Sequence, residues 1–147
     1  MKAHKREAVL EILVHTDPAG IVELTGELGT VKMIPFSGTV SGPYFQGVIE
    51  PCGVDTQITN ACEVRHMSAR YMLSGTDHTG CACHIYVENN GWFTDGARPR
   101  PWTSVPTFLT DSFALAPLLH KSSFVGEGQR EEDGLHIRFY EIEQPEE

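Results

Sequence analysis

Glycine and proline punctuate this chain so often that no long helix can run through it. Fourteen glycines and nine prolines are spread over 147 residues, and they cost about 1 and 3 kcal/mol respectively inside a helix. Between them apolar and polar residues alternate at period two, and sustained helical spacing hardly occurs. Many short strands joined by turns remain. The length suits one domain, residues 1–147, with a single core. Hydrophobic residues at 40% and charged residues at 21% exclude a disordered chain.

The alternation predicts strands over Glu7–His15, Ile21–Leu28, Val31–Phe36, Tyr44–Glu50, Val54–Thr59, Cys62–Leu73, Cys81–Asn89, Val105–Leu109, Ser122–Gln129 and Leu135–Ile142. Two pairs read as hairpins, one turning through Ser74–Gly80 and one through Arg130–Gly134. Ser37-Gly38 and Ser41-Gly42-Pro43 read as breaks. The single helical candidate is Asp111–His120, with Asp111 as its cap and Pro117 limiting it to a turn or two. About ten strands in sequence-local hairpins fit an antiparallel barrel or a two-sheet sandwich. Closure is attractive because it removes exposed edges.

A net charge of −9 with no basic run predicts no nucleic-acid partner. The acids gather late, at Glu127, Glu131, Glu132, Asp133 and beyond, as expected of a solvated hairpin and tail. No apolar run approaches the ~18 residues of a membrane span, and Met1–Val14 lacks a signal-peptide core. A cytoplasmic location is the expectation. There the four cysteines are expected to be free core fillers. Cys81, Cys83, His84 and His78 do not have the spacing of a zinc knuckle, and no metal or cofactor is expected. Neither a nucleophile elbow nor a phosphate-binding glycine loop occurs.

Several strings resemble one family. They are Ile34–Pro43, Gly47–Pro51, Gly53-Val54-Asp55, Ala69-Arg70-Tyr71, Ile85–Gly91, Phe124–Gly128 and Ile137–Ile142, with Pro106-Thr107-Phe108 and Thr110-Asp111. Together they are similar, in order and over nearly the whole chain, to domain of unknown function 3237. The resemblance implies a calycin- or lipocalin-like antiparallel β-barrel in small, often oligomeric proteins. It implies no activity.

A barrel of eight to ten strands encloses packed side chains or one small ligand. The strand Cys62–Leu73 carries Val64, His66, Ser68, Arg70 and Met72 on one face, and Arg65, Met67, Ala69, Tyr71 and Leu73 on the other. If the first row is interior, Arg70 anchors an anion or carbonyl oxygen through its planar fork. Otherwise it pairs with a carboxylate such as Asp55 or Glu127. On the partner strand His84, Tyr86 and Glu88 share a face. That trio is raw material for proton transfer or simply a wet outer surface. Asn89 stands at the strand end.

Three functions remain open. The leading one is a carrier of a small anionic or carbonyl-bearing molecule, bound by Arg70 with His66 or Tyr71, Asp55, Tyr86, Asn89 and Glu127. The second is an isomerase or cyclase with His84 or Glu88 as base and Arg70 stabilising an oxyanion. The third is a structural or homo-oligomeric protein without a ligand. The stretch Asn90–Ser104, with Trp92, Phe93 and Trp102, reads as a long loop that closes the barrel or meets another subunit.

Overall fold

The computed structural model describes residues 7–93, 102–121 and 123–142. Ten strands form one sheet: β1 (Leu10–Thr16), β2 (Val22–Gly26), β3 (Gly29–Ser41), β4 (Phe45–Ile49), β5 (Val54–Asn60), β6 (Arg65–Asp77), β7 (Ala82–Phe93), β8 (Trp102–Thr110), β9 (Phe124–Glu131) and β10 (Gly134–Glu141). Neighbours run β1-β10-β9-β8-β7-β6-β4-β3, and β3 returns to β1, so eight strands close an antiparallel barrel. The expected all-β barrel is what the chain forms.

The two remaining strands exist because β3 and β6 are long, 13 residues each. Along β3, Thr39 and Val40 pair with β4, whereas Gly29–Pro35 pair with β5. β4 and β5 thus lie end to end in one lane between β3 and β6, broken at Pro51-Cys52. On the other side of β3, β1 is followed by β2, which covers Gly29–Met33.

Several boundaries differ from the sequence expectation. Ser37-Gly38 does not break the chain: Gly38 continues β3 at a φ of 153°, where a Cβ would run into the Leu13 carbonyl of β1. Ser74–Asp77 extend β6 rather than turning, because β4 supplies their pairing. The only α-helical turn among the described residues is α1 (Ala116–Leu119). Asp111 does not cap it but binds the backbone N–H of His84 at 2.7 Å, while Ser112 Oγ accepts from Leu115 N–H. β7 runs on to Phe93 and β8 begins at Trp102, so both ends of the expected loop are strand; residues 94–101 lie outside the described residues. Only Cys83 is a core cysteine. Cys52, Cys62 and Cys81 are exposed free thiols, because turns rather than strand interiors hold them.

The interior has two halves. Leu10 and Ile12 of β1, Leu73 of β6, Ile85 and Val87 of β7 and Phe108 of β8 are all buried. With Leu115 and Leu119 plugging beneath, they fill one half at close packing. Phe124 and Phe139 meet Phe108 edge-on, each at 5.3 Å. Asp77 fastens this end: Thr79 and Ser112 donate to its carboxylate at 2.6 and 2.7 Å, and these bonds hold its pKa far below the carboxylate range. The other half is hollow.

Candidate functional site

Strand parity decides which side chains reach that hollow. In β6 the buried positions are Met67, Tyr71, Leu73 and Asp77, with Ser68 the one buried residue of the opposite row, while Arg70 and Met72 of that row are exposed. In β7 they are Cys83, Ile85, Val87, Asn89 and Phe93, with His84, Tyr86, Glu88 and Trp92 on the opposite face. Arg70 is therefore an outer-surface residue, 65% exposed, with its Nε 3.4 Å from Glu88 Oε1. The physical reason is the apolar content of the other row. Met67, Ala69, Tyr71 and Leu73 remove more hydrocarbon from water than His66, Ser68 and Arg70 could.

The same correction moves five other candidates outside: His66, His84, Tyr86, Glu88 and Glu127. His66 stacks on Trp92 at 4.5 Å and reaches Asn90 Oδ1 at 3.2 Å. His84 Nδ1 is 3.0 Å from Asp111, and Tyr86 donates to Glu88 at 3.3 Å. Glu127, in β9, lies on the face away from buried Gly126 and Gly128 and pairs in register with Arg138. Arg70 pairs with neither Asp55 nor Glu127 but with Glu88. The His84–Tyr86–Glu88 row is a wet outer surface. His84 outside and Cys83 inside also keep the tested metal ligands on opposite sides of the wall.

Three sequence candidates do come together inside. Asp55, Tyr71 and Asn89 line one cavity of ≈ 50 Å³ with Ser104, among apolar walls that include Phe36, Met67 and Trp102. Tyr71 rests edge-on against Phe36 at 5.2 Å. Burial, and then the negative charge of Asp55, push its phenol far above the ordinary value, so it stays a neutral O–H donor. Gln57 donates to Asp55 at 2.8 Å and accepts from Arg65, linking the cavity floor to a cation at the end of β6.

Asn89 and Ser104 set the polarity of this space. They are 6% and 4% exposed, and Asn89 Oδ1 and Ser104 Oγ are buried with no hydrogen-bond partner among the described residues. Asn89 thus does not cap a turn; β7 continues four residues beyond it. In the sequence Trp102 and Ser104 read as the end of a long loop, because the prolines and arginines before them mask a strand start. The signal was present in β9. Gly126 and Gly128 pair directly with Ser104 and Trp102, and a Cβ on either glycine would overlap the Ser104 hydroxyl or the Trp102 indole. The glycines make room for the two side chains that shape the cavity.

The geometry now has counterparts. A 92-residue stretch is 36% identical to an UPF0311 protein of Clostridium acetobutylicum, covering 62% of this chain and 56% of that protein. The chain thus spans little more than half the length of that curated relative. A crystal structure of a protein of unknown function from Clostridium acetobutylicum superposes with a TM-score of 0.75 at 28% identity, covering 97% of this chain and all of the other. A β-barrel-like protein from Acinetobacter baumannii gives 0.70 at 22% identity over 93% and 94% of the two chains, which supports the fold alone. The pattern of the protein family of unknown function DUF3237 matches residues 5–142. The chain belongs to that family.

Proposed function

We propose that the barrel binds a small uncharged molecule in its hollow half, through Asn89, Ser104 and Tyr71. The observation that supports this is the pair of buried polar atoms without partners, Asn89 Oδ1 and Ser104 Oγ, facing one cavity. An unsatisfied buried polar group costs about 1–3 kcal/mol, and a ligand that pairs with it recovers that loss. Asn89 Oδ1 is an acceptor, so the ligand brings a hydroxyl or N–H. The hydroxyls of Tyr71 and Ser104 are suited to a ligand oxygen.

An anion is disfavoured. The Asp55 carboxylate shares the space, and Arg70, the residue expected to hold an anion, is on the outside. Size narrows the choice too. Ligand sites for drug-sized molecules run to about 300–1,000 Å³, so ≈ 50 Å³ suits a compact molecule.

A thermal-shift screen tests this with hydroxyacetone and acetamide against acetate and pyruvate. The neutral compounds are expected to raise the melting temperature and the anions to leave it unchanged. If no neutral compound shifts the melt, or if the shift survives Ser104→Ala with Asn89→Leu, the reading fails.

A further inference from the structure

β2 is the strand the barrel does not enclose. It pairs with β3 alone, and its second edge has no partner strand among the described residues. All five of its residues are exposed, Val22 and Leu24 at 67% each, and Leu28 in the following turn at 87%. An open edge offers a row of unpaired N–H and C=O groups to another strand. Chains usually blunt such an edge with lysine, proline or a bulge. β2 has no lysine, proline or bulge, and its one charged side chain, Glu23, is engaged by Thr25. Its five pairs with β3 are regular, from Val22↔Met33 to Gly26↔Gly29.

We propose that this edge pairs with β2 of a second copy of the chain, antiparallel and with Leu24 on the two-fold axis. The register follows from hydrogen-bond parity and charge. Glu27 and Leu28 form a two-residue turn closed by Gly26 and Gly29. Gly26, Leu24 and Val22 therefore turn their backbone groups toward β3, and Thr25 and Glu23 turn theirs to the open edge. Edge-facing residues must meet edge-facing residues, so only registers two residues apart compete. Centring on Leu24 sets Glu23 opposite Thr25 of the second copy. A shift one way sets Glu23 against Glu23, and a shift the other way sets Glu23 against Glu27. Like charges directly opposite are unfavourable, and a chain of net charge −9 tolerates few places where two copies meet without them.

The local charge supports the same register. Glu23 lies opposite Lys32 on β3 and accepts a hydrogen bond from Thr25 Oγ1 at 2.8 Å, so its carboxylate is already engaged. Leu24 continues across the sheet into Val31 of β3 and Ile58 of β5. Two copies joined at Leu24 merge these apolar rows into one.

Light scattering and sedimentation of the full chain over a range of concentrations test the pairing. The expected mass is twice 16.3 kDa at high concentration. Leu24→Asp and Thr25→Pro, both at exposed edge positions, are expected to return it to 16.3 kDa with an unchanged circular-dichroism melt. Leu109→Asp, on the exposed face of β8, is expected to leave the doubled mass intact. The register is read separately in a Cys52→Ser, Cys62→Ser, Cys81→Ser background. Facing Leu24 residues stand about 4.5 Å apart at Cα, within disulfide reach. Leu24→Cys is therefore expected to cross-link on oxidation and Glu23→Cys to remain reduced. A mass of 16.3 kDa at every concentration overturns the proposal, as does a dimer that survives Leu24→Asp or cross-links equally at both cysteines.

Discussion

His136 and Glu11 lie 125 positions apart in the chain and 2.7 Å apart across the β1–β10 seam. The other ring nitrogen of His136 is 2.6 Å from Asp133. With a carboxylate oxygen on each side, the imidazole satisfies both only as a doubly protonated cation. Arg138 completes the knot, reaching Glu11 at 3.1 Å and Glu131 at 2.8 Å.

This knot predicts a stability window in pH. Burial alone would lower the His136 pKa, but its hydrogen bonds to Asp133 and Glu11 and the charge of Glu131 outweigh burial and raise it above 6.5. The stabilisation is complete below pH 6.5 and is lost as pH rises through the raised folded value. Glu131 and Asp133 are held below 4.5 and 3.8 by Arg138 and His136 respectively, so their share is lost as pH falls through those lowered values. Chemical denaturation at a series of pH values is expected to show the network at full strength between 4.5 and 6.5. His136→Gln is expected to flatten the decline on the alkaline side; an unchanged slope would refute the assignment.

Ser104→Ala is expected to stabilise the ligand-free protein. Removing a hydroxyl that has no partner relieves a desolvation loss of about 1 kcal/mol, and the small volume change adds little. The same substitution is expected to weaken any neutral ligand about tenfold, since that is what a lost hydrogen bond of similar size gives. Melting curves with and without acetamide would show both signs. A variant less stable when empty would show that the hydroxyl is already satisfied.

Gly128→Ala is expected to destabilise by about 2–3 kcal/mol, because a Cβ there overlaps the buried Trp102 indole and overpacking costs about that much. At this chain length each kcal/mol lowers the melting temperature by about 2–4 °C. A parallel Gly26→Ala has nothing within 4 Å of its Cβ and is the control. Equal melts for the two would overturn the role given to Gly128.

Arg70→Ala is expected to leave interior binding unchanged. Its pairing with Glu88 is 65% exposed on the arginine side, and exposed ion pairs contribute about 0–1 kcal/mol. Loss of acetamide or hydroxyacetone binding in this variant, measured by calorimetry, would return Arg70 to the site.

The barrel was legible in the sequence because period-two alternation and turn residues are local. Cys81–Asn89 starts within one residue of β7, and Leu135–Ile142 matches β10 within one residue at both ends. Polarity was the wrong guide to orientation. Arg70, His84 and Glu88 drew attention as reactive groups, yet the plainer row Met67, Ala69, Tyr71, Leu73 marked the interior. With that row buried, Tyr71 stands apart from Arg70, and Asn89 follows from its parity with Val87. Glu11 with His136 was beyond reach, since that contact exists only once the first and last strands are neighbours. The acids at Glu131 and Asp133 read as solvated for the same reason.

That adjacency has a kinetic side. β1 is paired on both edges, by β3 and by β10, and β10 is the last strand among the described residues. During synthesis β1 can hold β3 early, but its other edge stays open until residues 134–141 have left the ribosome. The seam is thus a late, long-range closure of the kind that makes β-rich chains fold in milliseconds to seconds. A circular permutant that joins the termini and opens the chain between β4 and β5 would make the β10–β1 pairing local, and it should fold faster with the same final barrel.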